Sequence, residues 1–244
     1  MSVLKLRIKY TKTGVLRFIG HLDVMRLFQK AIRRAKLSVS YSKGFSPHQV
    51  ISFAAPMPLG MTSEGEYFDG EFDEITSTDD MMHRLNETLP DGVRVLDIVL
   101  LPENAKPAMS VVTASDYIIY KNDESDMNQI DVLLPFVQSL TDQNEVFVMK
   151  KTKSTEAMAD IKPFIYDLKG CENKSSYIDY KGNAIYMMLA SGSQDNLKPE
   201  LVVTALCDLA GIQYNRYDYM VHRLETYMGE KDKFRSLCEI GEQF

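Results

Sequence analysis

The chain has 244 residues, of which 45% are apolar and 25% charged, with a net charge of −6, which suits a globular protein of one large or two small domains. Apolar runs such as Val146–Met149 are far shorter than the roughly 20 residues that span a bilayer, so no membrane association is expected. The N-terminus alternates charged with apolar residues and lacks the apolar stretch of a signal peptide, which makes a cytoplasmic protein the plain expectation.

In chain order, Leu4, Leu6, Ile8 and Tyr10 alternate with Lys5, Arg7 and Lys9, the pattern of a half-buried strand with a basic outer face. Thr11–Gly14 reads as a turn and Arg17–Ile19 as extended. A helix is expected from about His21 to Lys36, with Leu22, Met25, Phe28, Ile32 and Ala35 on its apolar side and Arg26, Lys30 and Arg34 at i, i+4 and i+8 on another. Val39–Tyr41 and Ile51–Phe53 read as short strands around a turn at Gly44–His48. Glu66–Phe72 alternates again, Thr78 opens a helix that ends before Pro90-Asp91-Gly92, and Val93–Leu101 is a strand. This β-α-β-β-α-β order is the ferredoxin-like pattern, an antiparallel sheet backed by two helices.

Pro102–Pro107 reads as a connector. Beyond it come a strand at 116–121, a helix near Met127–Leu140, a strand at 145–150 and a short segment at 161–165. Tyr177–Tyr180 and Ala184–Ala190 are expected to pair across Lys181-Gly182-Asn183. Pro199 sits in the first turn of a helix through Ala210, and a strand-like or helical tail follows from Tyr217. The fold expected is α+β, with two ferredoxin-like halves, residues 1–106 and 107–244, each built on an antiparallel sheet.

Charge is segregated between these halves. Residues 1–60 hold eleven Lys and Arg and a single acid, Asp23, for a net charge of +10. The other 184 hold 17 basic and 33 acidic residues, for −16. Scattered charges would serve solubility equally well, so the basic block reads as a surface for an anionic partner, RNA above all. Arg17, Arg26, Lys30, Arg33, Arg34, Lys36 and Lys43 could track a phosphate backbone, while Tyr41 or Phe45 could stack on a base. A solvated helix face paired with the acidic half is the plainer alternative, and docking on an acidic protein a third.

His21, near a helix start that favours anions, reads either as a phosphate donor or general acid–base group, or as a capping or turn residue. His48 lies in the loop after Pro47. His21, Asp23 and His48 could bind a metal only if the fold gathers them, and no metal site is assigned. Gly44–Pro47 would make a tight turn whose N–H groups could meet a phosphate. Lys150–Lys153 with Lys162 is a second, smaller basic cluster. Cys171, Cys207 and Cys238 are widely spaced and form no CxxC, which argues against disulfides and cysteine-held metal. No glycine-rich nucleotide loop is present, so no cofactor is expected.

Gly14–Asp23, Arg33-Arg34-Ala35, Tyr41–His48 and Ile51–Ala54 together resemble the radical SAM-linked proteins, a bacterial family of unknown function. The similarity continues through Leu59-Gly60, Ser63, Glu66-Tyr67, Leu85-Asn86, Leu89-Pro90 and Asp160–Pro163. It implies a partner of a radical S-adenosylmethionine enzyme, because family members stand alone or are joined to such a domain. The partner enzyme's cysteine triplet is absent here, so the resemblance implies substrate presentation rather than radical chemistry. The chain departs from the family at Ser46, where a second His is common, and at Gln49-Val50, where Pro-Lys is.

The function expected is therefore a non-catalytic RNA-binding protein for tRNA or rRNA, using residues 5–48, that presents substrate to a radical S-adenosylmethionine RNA-modifying enzyme. The alternatives are a metal-independent endoribonuclease, by fold analogy with CRISPR-RNA-processing nucleases, with His21, Tyr41 and Lys43 as acid–base and charge-stabilising groups, and a module that docks on an acidic enzyme.

Overall fold

The computed structural model describes residues 3–123, 129–151, 156–172, 175–180 and 182–244. The expected helix start at Met127, the Thr152-Lys153 part of the second basic cluster and Lys181 of the expected turn lie outside them. The chain divides into two units, Met1–Thr113 with Glu225–Phe244, and Ala114–Leu224. The first thus combines the N-terminal part with the last twenty residues, where the sequence suggests a single cut at 106/107.

In the first unit, β1 (Leu4–Lys12) leads through a 3₁₀ turn at Gly14–Phe18 into α1 (His21–Arg34). β2 (Ile51–Phe53), β3 (Thr62–Phe72), α2 (Thr78–Thr88) and β4 (Val95–Leu100) follow. β1 lies between β4 and β3, and β2 pairs with β3, all antiparallel. That strand order, 4-1-3-2, is the arrangement the βαββαβ pattern predicts. One core joins Leu6, Ile8 and Tyr10 of β1 to Val24, Phe28, Ala31 and Ile32 of α1 and to Met81 and Leu85 of α2. Ser77 caps α2 by accepting the Asp80 N–H, and Pro90 follows its end.

The opposite sheet face is also covered, which the sequence reading missed. Tyr67, Val99 and Leu101 pack with Ala108, Val112, Leu237 and Cys238, drawn from the connector helix α3 (Ala108–Val111), the residue after it and the C-terminal tail. Arg17 lies in the 3₁₀ turn rather than in an extended segment, and Val39 and Tyr41 make isolated bridges rather than a strand. Leu22 is exposed, and Val24 takes the core position.

The second unit holds β5 (Val112–Lys121, from Ala114 onward), α4 (Gln129–Thr141), a hairpin β6 (Phe147–Lys151) and β7 (Glu156–Asp160), then β8 (Ile165–Cys171), β9 (Ala184–Ala190), α5 (Pro199–Ala210) and the first residues of β10 (Tyr219–Met228). The end of β10 and β11 (Arg235–Ser236) belong to the first unit. The order β10-β5-β9-β8 repeats 4-1-3-2, with β6–β7 as an insertion. β9 pairs with β5 and β8, not with 177–180 as the turn signal suggests. Asp167, Lys169 and Gly170 disguise β8, whose place is set by its partner rather than by propensity. Pro199 opens α5, and Gly211, at φ +67°, closes it. Met187 is buried in β9 and Met81 in α2, both as core filler.

Candidate nucleic-acid interface

Ten of the eleven cations of residues 1–60 lie on β1 or on α1 and the loop after it, and Arg17 sits between them in the 3₁₀ turn. Three of those on β1, Arg7, Lys9 and Lys12, are consumed inside the first unit. Arg7 is fully buried: its guanidinium grips both Asp69 carboxylate oxygens at 2.8 and 3.0 Å and donates to the carbonyls of Leu237 and Lys106. Lys9 pairs with Glu225 at 2.6 Å, and Glu225 also accepts the Tyr67 hydroxyl at 2.6 Å. Burial, then the Glu225 charge, pushes the Tyr67 hydroxyl well above its ordinary pKa. Lys12 is buried and donates to the Ile19 carbonyl at 2.8 Å, and burial lowers its pKa despite Glu66. The basic outer face expected of this strand is thus largely taken up at Arg7 and Lys9, where the chain's last twenty residues return to it through Leu237 and Glu225.

The cations of α1 and the loop after it stay in water. Arg26, Lys30, Arg33, Arg34, Lys36 and Lys43 are exposed. Arg26 pairs with Asp23 at 3.3 Å on an open surface, which is worth little. Among the described residues, Lys30, Arg33, Arg34, Lys36 and Lys43 make no ion pair. α1 keeps its cations outward because its apolar residues recur at helical spacing on the core side, and 3.6 residues per turn puts Leu22, Arg26, Gln29 and Arg33 on one outer face. Arg84 of α2 donates to the Ala35 and Lys36 carbonyls at 3.0 and 2.8 Å, satisfying the helix end where Arg33 and Arg34 also complement the dipole.

Along one flank of α1, a groove of about 620 Å³ is lined by Asp23, Arg26, Leu27, Lys30, Arg34, Thr88, Leu89 and Pro90. Three cations against one acid give it a positive field over an apolar floor. Another concavity in this unit, of about 630 Å³, sets Lys5 against Glu103 and Glu242 and has no such field.

The Tyr41–His48 loop is anchored to the other flank. Gln49, buried, donates from Nε2 to the Gln29 carbonyl at 3.2 Å. Ser42 Oγ lies 2.8 Å from His48 Nδ1 and accepts the His48 N–H at 3.1 Å. Tyr41 and Phe45 are exposed. His21 is the first residue of α1, after the Gly20 cap, and its ring packs edge-on to Phe53 at 5.5 Å. His21, Asp23 and His48 therefore have separate partners, Phe53, Arg26 and Ser42, and among the described residues no cluster of three metal-ligating side chains is present. Arg17 lies over the Phe18 ring at 4.7 Å.

Sequence reasoning missed two features here. In the sequence Gln49 stands out only as a departure from a family pattern, and its role as the tie between loop and helix needs the third dimension. Val15 and Phe18 are exposed with Leu22 and Leu59, and Gly60 N–H donates to the Arg17 carbonyl at 2.9 Å, drawing the Leu59 loop to this turn. The three-residue spacing of Val15 and Phe18, which aligns them on a 3₁₀ turn, was the available signal.

No functionally curated protein matches the sequence. Among solved structures, one chain of the "Crystal Structure of a Cbf5-Nop10-Gar1 Complex" is 9% identical with a TM-score of 0.43, covering 91% of this chain and 48% of that one, so this chain spans about half its length. The "Crystal Structure of an Unknown Protein from Galdieria sulphuraria" is 11% identical with a TM-score of 0.27, covering 92% and 99%. Residues 5–199, which include the β1 and α1 cations and the Tyr41–His48 loop, match a bacterial family, and the chain belongs to it: "Uncharacterized protein conserved in bacteria (DUF2344)".

Proposed function

We propose that the protein binds RNA, of the tRNA or rRNA class, through α1 and the loop that follows it. The observation that carries this reading is the exposed set Arg26, Lys30, Arg33, Arg34, Lys36 and Lys43, in a stretch from Val24 to Ser63 that contains no acid. Such a surface gains affinity by releasing counterions from a phosphate backbone. The residues in the role are Arg17, His21, Arg26, Lys30, Arg33, Arg34, Lys36, Tyr41, Lys43, Phe45 and His48. Arg7, Lys9 and Lys12 are outside it, because they are buried or paired.

The resemblance to radical SAM-linked proteins supports a further step, in which the bound RNA is held for a radical S-adenosylmethionine enzyme acting in trans. Capture of that enzyme by the tagged protein, before and after nuclease treatment, tests this step. Filter binding of a transfer RNA across a salt series tests the RNA reading itself. The expected slope of log K against log salt is steep and shrinks by about 2 units when Arg26, Arg33 and Arg34 are all changed to Glu. An unchanged slope contradicts it. No geometry favours the nuclease alternative, since His21 packs on Phe53 while Tyr41 lies beside Gln49; RNA cleavage abolished by His21→Ala would establish it.

A further inference from the structure

The cations of α1 would hold any polyanion, but the loop beside them offers something a polyanion alone does not use. Phe45, with a relative exposure of 111%, stands wholly in water at the loop's tip. The loop that holds it there is well tied. Ser42 N–H donates to the His48 carbonyl at 2.8 Å, Val50 N–H donates to the Ser40 carbonyl at 2.9 Å, and Tyr41 bridges to Gln49. Gly44 takes φ +124°, a conformation that side chains resist, and so lets the chain turn just before Phe45. An ordered loop that keeps a phenyl ring out of every core forgoes burial, which marks a surface made to meet a flat apolar face. Tyr41, 53% exposed, adds a second ring at the loop's base.

Gln49 fixes these rings relative to the helix cations through the Gln29 carbonyl. Around α1, Arg33 and Arg26 are the first cations after Gln29, ahead of Lys30 and Arg34 at the groove. Rings and cations are thus carried by one framework. Resting on the RNA reading, we infer that this face selects unpaired nucleotides: a splayed base stacks on Phe45 while the adjoining phosphates lie on Arg33 and Arg26. Bases within a duplex have both faces covered by their neighbours, and the deep groove of A-form RNA excludes side chains, so a protruding ring gains nothing from double-stranded RNA. Single strands offer every base as a stacking face. An acidic polypeptide matches the charges but lacks the planar faces.

The chain contains no tryptophan, so Phe45→Trp places a single indole reporter at the loop tip. This variant is titrated with a short oligouridylate, a blunt RNA duplex of equal length, inorganic polyphosphate and polyglutamate. The oligouridylate is expected to quench the indole, whereas polyphosphate binds without quenching. In parallel, Phe45→Ala is expected to weaken oligouridylate binding by about 5- to 100-fold, the loss of one base stack, and to leave duplex binding unchanged. Because the ring touches no core, this variant folds, and its unfolding midpoint serves as the check. Oligouridylate binding with no quenching, or equal loss for both RNAs in Phe45→Ala, overturns the inference while the RNA reading stands. Failure of the wild-type protein to bind either RNA overturns both. Quenching by polyglutamate alone overturns the inference in favour of an acidic protein segment.

Discussion

Strand β1 and helix α1 lie within thirty residues of one another and carry the same kind of charge at regular spacing. Their fates are opposite. On β1, Arg7, Lys9 and Lys12 end beside Asp69, Glu225 and the Ile19 carbonyl, and become part of the interior. On α1, Arg26, Lys30, Arg33 and Arg34 stay in water. The difference is set by which segments return: tail residues reach the outer face of β1 at Arg7 and Lys9, whereas the cations of α1 stay exposed beside the Gln49 loop. A run of cations in a sequence is therefore not yet a basic surface. Part of this one is a scaffold, and what remains exposed is a smaller basic surface on α1 and its loop.

The comparison breaks most readily at Arg7. Arg7→Ala should lower stability by about 3–5 kcal/mol in urea unfolding, because it leaves Asp69 without its cation in a largely buried setting. A loss below about 1 kcal/mol would mean that the β1 cations are not structural. On the helix side, changing Arg26, Arg33 and Arg34 together to Glu should cost at least about a hundredfold in RNA affinity, while exposed positions such as these shift stability by only about 0.5 kcal/mol each. The two variants should thus move separate readouts. Tyr67→Phe, which empties one side of the Glu225 pairing without touching α1, is expected to cost about 1–2 kcal/mol in the same unfolding assay and leave RNA affinity unchanged.

The smallest effect concerns an exposed pair that belongs to neither group. The Thr76 hydroxyl and Arg84 hold the Asp80 carboxyl below its usual value of 3.8. A depressed carboxylate stabilises the fold above the unfolded value and loses that contribution as pH falls through the folded one. Asp80→Asn should therefore lower the thermal midpoint slightly at pH 7, with the difference shrinking below about pH 3.8. A difference that persists or grows in acid would contradict the assignment.

Much of the first unit was legible in residue order. The alternation of β1, the helical spacing of α1 and the Pro90-Asp91-Gly92 break are local signals, and they locate the 4-1-3-2 sheet and the exposed cations. Arg7 is not legible in the same way, because period-two alternation says which residues share a face, but not whether a segment more than 200 positions away covers that face. Leu22 was misplaced for a related reason, since a long apolar side chain at a helix start fits the core stripe almost as well as Val24. In the second unit β8 was hidden, because Asp167, Lys169 and Gly170 carry little strand propensity, and the Gly182-Asn183 signal drew the pairing to the wrong partner. At the site, cations and rings were legible as residue types. The Ser42–His48 closure and the Gln49–Gln29 tie were not, because nothing local distinguishes those side chains from ordinary loop polar groups.

Contact between the α1 face and RNA in the cell is read out by ultraviolet crosslinking of the tagged protein in its host, with sequencing of recovered RNA and the Arg26/Arg33/Arg34→Glu variant as control. Enrichment of one class of tRNA or rRNA is expected, and it should disappear in the control while the protein remains folded. Equal recovery from both proteins, or no RNA above background, would contradict it and leave the helix cations to an acidic protein partner.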